Sequence, residues 1–272
     1  MLPFSIEFAP SFRPRPIRHV VMDWDGTTVL SRAGWCEMMT DIYVENLPHL
    51  HGETEESRRE YSWAELMRLT GRPSIHQMEH LAALVAARGG TPAEPAQYQA
   101  AYQQRLARLV EERLDQIRSG TLAAATLLLT GVVEMFGHLR ERGIRISLAT
   151  GTPLADIRAE VALLGVADYF DGGIFGPADI HDREFSKRAI IDALLREYAL
   201  DGCSLLAFGD GPAEIAAAKA VGGLAVAVAS DESNNGSGRI DPAKRAILLG
   251  AGADAVIADF RQPSQLLDAL TR

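Results

Sequence analysis

Two regimes of hydrophobic patterning divide this chain. From Gly131 onward, short apolar runs alternate with longer segments of helical period. The runs Ile144–Thr150, Gly172–Gly176, Ser204–Asp210, Leu224–Ser230 and Ala253–Asp259 are almost continuously apolar, as strands buried on both faces are. Between them, Val132–Arg142, Leu154–Leu164, Lys187–Tyr198, Ala213–Val221, Pro242–Leu249 and Pro263–Leu270 place apolar residues on one face and predict helices. One further run, "IRHVVMD" (Ile17–Asp23), stands alone near the start. Strand and helix alternating at this spacing predict an α/β fold with a parallel sheet covered on both faces.

The stretch from Ser31 to Gly120 has a different pattern. It contains almost no β-rich runs and three strongly helical segments: "TEESRREYSWAELMRLTG", "SIHQMEHLAALVAARGG" and "AQYQAAYQQRLARLVEERLDQIRSG". In the last, Leu106, Leu109, Val110, Leu114 and Ile117 recur with a helical period. The expected organisation is therefore an α/β domain of residues 1–30 and 121–272, interrupted after its first strand by a helical module of residues 31–120. "SDESNNGSGRID" (Ser230–Asp241) has the composition of a loop.

Composition narrows the partners. The 272 residues are 47% hydrophobic and 23% charged, an ordinary globular balance. A formal net charge of −9 argues against a nucleic-acid backbone or an anionic membrane as the main partner, but not against a small anion at a locally positive site. No apolar run, "LAAATLLLTGVV" included, approaches the roughly 18 residues of a membrane span. Cys36 and Cys203 are too few and too separated for a disulfide framework, and are expected to be buried or incidental thiols. The N-terminal segment, interrupted by prolines and arginines, does not read as a signal peptide, so a cytoplasmic setting is expected.

Candidate chemistry collects at the predicted strand ends. In an open parallel sheet, ligands bind beyond the carboxyl ends of the strands. Those ends carry Asp23 and Asp25, then Thr150, then Asp210, with Lys187 opening a later helix. Three hard carboxylates converging on one edge suit Mg²⁺, and a hydroxyl and an ammonium beside them suit a phosphate group. Each residue also has a plainer reading. "DWDG" resembles a turn, Thr150 a helix cap before "PLADI", and Lys187 a solvated first-turn residue.

Four motifs taken together resemble those of the haloacid dehalogenase-like superfamily: "DWDGT" (Asp23–Thr27), "LATGT" with Thr150, "FSK" with Lys187, and "GDGPAE" with Asp210 and Glu214. The resemblance implies a Rossmann-like doubly wound parallel sheet with an inserted α-helical cap. It implies that Asp23 attacks phosphorus to form an aspartyl-phosphate, and that Asp25 protonates the leaving oxygen and then activates water. Mg²⁺ is implied at the Asp23 carboxylate, the Asp25 carbonyl and the Asp210 carboxylate, with Thr150 and Lys187 holding phosphoryl oxygens. An acid two residues after the nucleophile marks phosphatases and phosphomutases of the superfamily rather than its dehalogenases. Glu214 stands where an Asp is common, and on a helix it would share a face with Asp210. Its expected work is to bind the ion through water or to orient Lys187.

The expected function is a Mg²⁺-dependent phosphatase acting on a small phosphorylated metabolite, a sugar phosphate or a phosphoglycolate-like ester. A phosphomutase and a non-catalytic binding protein are the alternatives. A phosphonate-cleaving relative would need a cap lysine, and Ser31–Gly120 contains none. "HQMEH" (His76–His80) matches a short metallopeptidase pattern but lacks an evident third ligand, so His76 is expected at the surface. Lys219 reads as an ordinary helix-surface residue. "TGRP" (Thr70–Pro73) reads as a helix-ending turn, with Arg72 as the alternative, a fork for an anionic or polyhydroxyl substrate.

Overall fold

The computed structural model describes residues 4–69, 74–179 and 185–271. They divide into two compact units: one runs to Ser31 and resumes at Leu114, and the other is Arg32–Arg113. The return crossing falls inside a long helix, seven residues before the expected boundary, because the helical period continues through it without a break.

The first unit is built on a sheet of strands β1 (Glu7–Phe8), β2 (His19–Met22), β3 (Arg145–Ala149), β4 (Ile174–Phe175), β5 (Leu205–Gly209), β6 (Leu224–Val228) and β7 (Ala255–Ile257). Their order is β1-β7-β6-β5-β2-β3-β4, parallel throughout except for the antiparallel β1–β7 pair. After β2 the chain builds outward through β3 and β4, then returns to β5 and builds the other way. The crossovers thus diverge beside β2, the position at which open α/β sheets bind ligands beyond their carboxyl ends. Met22 is level with Phe208 across β2 and β5, and the Asp23 amide donates to the Phe208 carbonyl at 3.0 Å. Register therefore places Asp23 beside the end of β5.

Helices α1 (Trp35–Asn46), α2 (Glu55–Met67), α3 (Ser74–Ala87) and α4 (Pro95–Arg118) follow β2 in the chain. The rest belong to the first unit: α5 (Val132–Glu141), α6 (Leu154–Leu163), α7 (Lys187–Glu197), α8 (Pro212–Ala220), α9 (Pro242–Gly250) and α10 (Pro263–Leu270). Ile191 and Leu194 of α7, Ile215 and Ala218 of α8, and Leu248 of α9 pack against Val21, Ala207, Ala225 and Ala227. The small alanines let these helices lie close to the sheet. Trp24 is fully buried and meets Phe170 edge-on, while Phe208 meets Phe260 in the same manner. The side chain between the two acids of "DWDG" thus faces the interior, as strand alternation requires. The second unit has its own core, with Met39, Ile42 and Tyr43 of α1 against Leu66, Met78, Leu81, Val85, Tyr98 and Tyr102.

Of the two readings of the cysteines, burial holds for neither, Cys36 being half-covered and Cys203 exposed. Lys219 is not a free surface residue: its ammonium lies 2.7 and 2.8 Å from the two oxygens of buried Asp254, whose Oδ2 also accepts from the Ala225 amide. The pair ties α8 to the segment before β7. Finally, β1 was not legible: two residues pairing along an edge leave no periodic signature. Among the described residues, no helix is long and apolar enough to cross a membrane.

Candidate active site

The loop after β2 turns sharply, because Gly26 adopts φ +71°, in the left-handed region. Its amide donates to the Val29 carbonyl and the Val29 amide donates to the Trp24 carbonyl, both at 2.9 Å. The Thr28 hydroxyl donates to the Asp23 carbonyl at 2.6 Å. Glycine is required here for a second reason: a Cβ on Gly26 would lie 2.0 Å from Oδ2 of Asp210. The turn is closed from within, and its inner surface is the seat of another strand's acid.

Lys187 reaches this turn from the start of α7, where the Ser186 hydroxyl caps the helix by accepting from the Ala189 amide at 3.1 Å. The Lys187 ammonium donates to Asp23 Oδ1 at 2.7 Å and to Glu214 Oε2 at 2.9 Å. The solvated first-turn reading of this lysine is therefore wrong. Glu214 is buried, and its other oxygen, Oε1, accepts from the Gly211 amide at 2.5 Å, satisfying a free backbone donor at the start of α8. Asp210 stands before that helix, at the end of β5, so the two acids do not share a helix face. A strand end and a helix start bring them together instead. Glu214 thus meets Lys187 directly.

Asp25 has a partner that the motifs did not predict. The Thr152 hydroxyl donates to Asp25 Oδ2 at 3.0 Å, and the Thr152 amide donates to the Thr150 hydroxyl oxygen at 3.1 Å. Thr150 thus fixes the turn after β3 rather than capping α6, whose N-cap is Pro153. Accepting through oxygen leaves the Thr150 O–H able to donate elsewhere.

A second lysine completes the group. Asp241 caps α9, with Oδ1 accepting from the amides of Ala243 and Lys244. From there the Lys244 ammonium donates to Asp210 Oδ2 at 2.8 Å, to Glu232 Oε1 at 2.6 Å and to Ser230 Oγ at 3.4 Å. The Ser230 hydroxyl donates to the Gly26 carbonyl at 2.9 Å. The polar Ser230–Asp241 stretch therefore borders the site. Its fold-back, with Ser230 bridging Ile240, carries Lys244 to Asp210.

Asp23, Asp210 and Glu214 bring ligating oxygens within 4.8 Å of one another, and no other cluster of three metal-ligating side chains occurs among the described residues. Burial raises the Asp23 carboxyl well above its ordinary value; Lys187 opposes the shift, while Glu214 and Asp210 reinforce it. Burial likewise raises Asp210 to about 6, opposed by Lys244 and reinforced by Glu232 and Glu214. For Lys187, burial acts downward, but Asp23 and Glu214 outweigh it and hold the ammonium charged. Hard oxygens, crowded acids and raised carboxyl values fit a divalent cation, whose charge relieves the repulsion.

The remaining candidates disperse. His76 pairs with Glu79 at 3.0 Å and is half-exposed, while His80 pairs with Glu65 at 2.8 Å. Each histidine has its own acid, and among the described residues no third ligand joins them in a cluster. Arg72, and the whole Thr70–Pro73 turn, lie outside the described residues.

An open parallel sheet that gathers buried acids and two lysines at its carboxyl edge has the layout of an α/β enzyme centre. The chain belongs to the haloacid dehalogenase-like hydrolases, whose family model matches residues 17–222. No curated protein matches it by sequence. Among solved structures, it is similar to a haloacid dehalogenase-like protein of unknown function from Agrobacterium tumefaciens (15% identity, TM-score 0.64, covering 93% of this chain and 98% of that one). It is also similar to a predicted phosphoglycolate phosphatase from Haemophilus somnus (18%, TM-score 0.58, 92% and 97%). A beta-phosphoglucomutase from Clostridium difficile is a third (13%, TM-score 0.54, 90% and 92%). At these identities the likeness speaks for the fold.

Proposed function

We propose that the protein is a Mg²⁺-dependent phosphatase of small phosphorylated metabolites, a sugar phosphate or a phosphoglycolate-like ester being the expected substrate. The observation that carries this reading is the grouping of Asp23, Asp210 and Glu214 at the strand ends, with Lys187 bonded to two of them. Asp23, the Asp25 carbonyl and Asp210 would hold the ion. When bound, it supplies Lewis-acid stabilisation of charge on the phosphoryl oxygens.

An Asp23 carboxylate oxygen attacks phosphorus, and the bond from phosphorus to the ester oxygen breaks. Asp25, oriented by Thr152, gives its proton to the departing alkoxide. In the second step Asp25 takes a proton from water as the water oxygen attacks phosphorus, and the aspartyl–phosphorus bond breaks. Lys187 favours the ionised form of Asp23 against the burial that raises its carboxyl and, with the Thr150 hydroxyl, binds phosphoryl oxygens. The helical unit Arg32–Arg113 serves as the substrate-selecting cap, with Arg72 as its candidate anion contact.

A phosphate-release screen over phosphorylated metabolites, with and without a chelator, tests the reading. Turnover of a small ester is expected, lost with chelator and restored by Mg²⁺. Chelator-insensitive turnover would overturn the metal assignment. Conversion of a bisphosphorylated sugar and its monophosphate without net phosphate release would replace hydrolysis by a mutase reaction.

A further inference from the structure

Lys244 lies outside all four sequence motifs, yet its ammonium is committed to the site. Its three N–H donors are matched by three acceptors: Asp210 Oδ2, Glu232 Oε1 and Ser230 Oγ. Ser230 in turn donates to the Gly26 carbonyl, and the Asp210 carboxylate lies against Gly26 where a Cβ would stand. Lys244, Ser230, Gly26 and Asp210 therefore form a closed ring of contacts, drawn from the ends of β2, β5 and β6 and the first turn of α9. The Asp241 cap fixes that turn, so the lysine is anchored at its backbone as well as at its tip.

This ring acts on one oxygen of Asp210. Oδ2 faces the ammonium, and Oδ1 accepts no hydrogen bond among the described residues. Offering both oxygens to one cation would make Oδ2 share its lone pairs between the ion and the ammonium, so the lysine contact works against ligation through both oxygens. Mg²⁺ requires near-octahedral geometry and takes single carboxylate oxygens, whereas Ca²⁺ accepts six to eight ligands and often binds a carboxylate through both oxygens. We propose that Lys244 is a positioning residue that restricts Asp210 to one ligating oxygen, and so makes the centre select Mg²⁺ over Ca²⁺. The inference rests on the metal reading given under Proposed function.

A simple counter-charge would behave differently. Removing a positive charge beside the site strengthens binding of both ions alike, because both carry two charges. Only a change in ligand geometry alters their ratio. Isothermal titration of the full chain with Mg²⁺ and with Ca²⁺ measures that ratio without reference to turnover. Lys244→Met is expected to shift the ratio of dissociation constants toward Ca²⁺ by up to roughly tenfold, since losing a partner that orients a metal ligand changes the affinity for one metal by about 10- to 100-fold. Ser230→Ala, which keeps the lysine and its charge but removes one anchor, should shift it the same way by a smaller factor. A ratio unchanged in a folded Lys244→Met protein overturns the proposal. If that variant does not fold, an unchanged ratio in Ser230→Ala does so. Wild-type protein that binds no Mg²⁺ would instead overturn the underlying metal reading.

Discussion

The Lys187 ammonium sits 2.7 Å from Asp23 Oδ1, joining two residues 164 positions apart. Its second bond, to Glu214, makes the lysine a bridge between acids that would otherwise repel one another. This answers the cost of burying Asp23. The carboxylate is desolvated, but an ammonium held between two acids compensates part of the loss.

Asp23→Asn removes the nucleophile while keeping the shape of the side chain. Phosphate release should fall by at least about 10³-fold, with the folded state retained. Steady-state assays and far-ultraviolet circular dichroism would check this. Turnover close to the wild-type rate would remove Asp23 from the chemistry.

Gly26→Ala tests the turn. The new methyl group meets Asp210 Oδ2, and the residue must hold φ +71°. The left-handed conformation alone costs an L-residue about 1–2 kcal/mol, and displacement of Asp210 adds to it. A lower melting temperature together with weakened Mg²⁺ binding is expected. Titration calorimetry on the folded fraction separates the two effects.

Thr152→Val removes the hydroxyl that orients Asp25 and keeps the branched shape. If Asp25 moves the proton, kcat should fall about ten- to a hundredfold with KM little changed, as expected for a misplaced catalytic group. A rise in KM alone would place Thr152 in substrate binding instead.

His19 makes stability depend on pH. It is buried, and its Nε2 lies 2.8 Å from Ser147 Oγ. The Ser147 hydroxyl donates to the Gly172 carbonyl, so its oxygen accepts from the imidazole N–H. Burial, helped by the Arg145 charge and opposed by Asp171, lowers the folded value from 6.5 to about 4. The unfolded chain therefore takes up the proton first as pH falls. The neutral histidine's contribution is complete above pH 6.5 and is lost between 6.5 and about 4. Its size is on the order of 3 kcal/mol. Urea melts across this range should show a steeper loss for wild type than for His19→Gln, and parallel curves would refute the assignment.

Much of this was written in local pattern. Continuous apolar runs ending in Asp23, Thr150 and Asp210 place those residues at strand ends, because a parallel strand buried on both faces has no polar positions to obscure its limits. The helices followed from their period. Lys244 was not legible. In sequence it is one cation in the first turn of an amphipathic helix, indistinguishable from a solvated residue such as Arg188. Thr152 was passed over for Thr150, because the motif marks the strand end while the hydrogen bond to Asp25 comes from two residues beyond it.

The sequence by itself determined the α/β alternation, the helical insertion and the acids available to the site, since each is set by neighbours a few residues away. Only the tertiary structure decided which cation meets which acid. Strand order brought β5 beside β2 and so Asp210 against Gly26, while the fold-back after β6 delivered Lys244. Pairings of this kind depend on sheet register and loop closure, which unite positions far apart in the chain and leave no periodic trace along it.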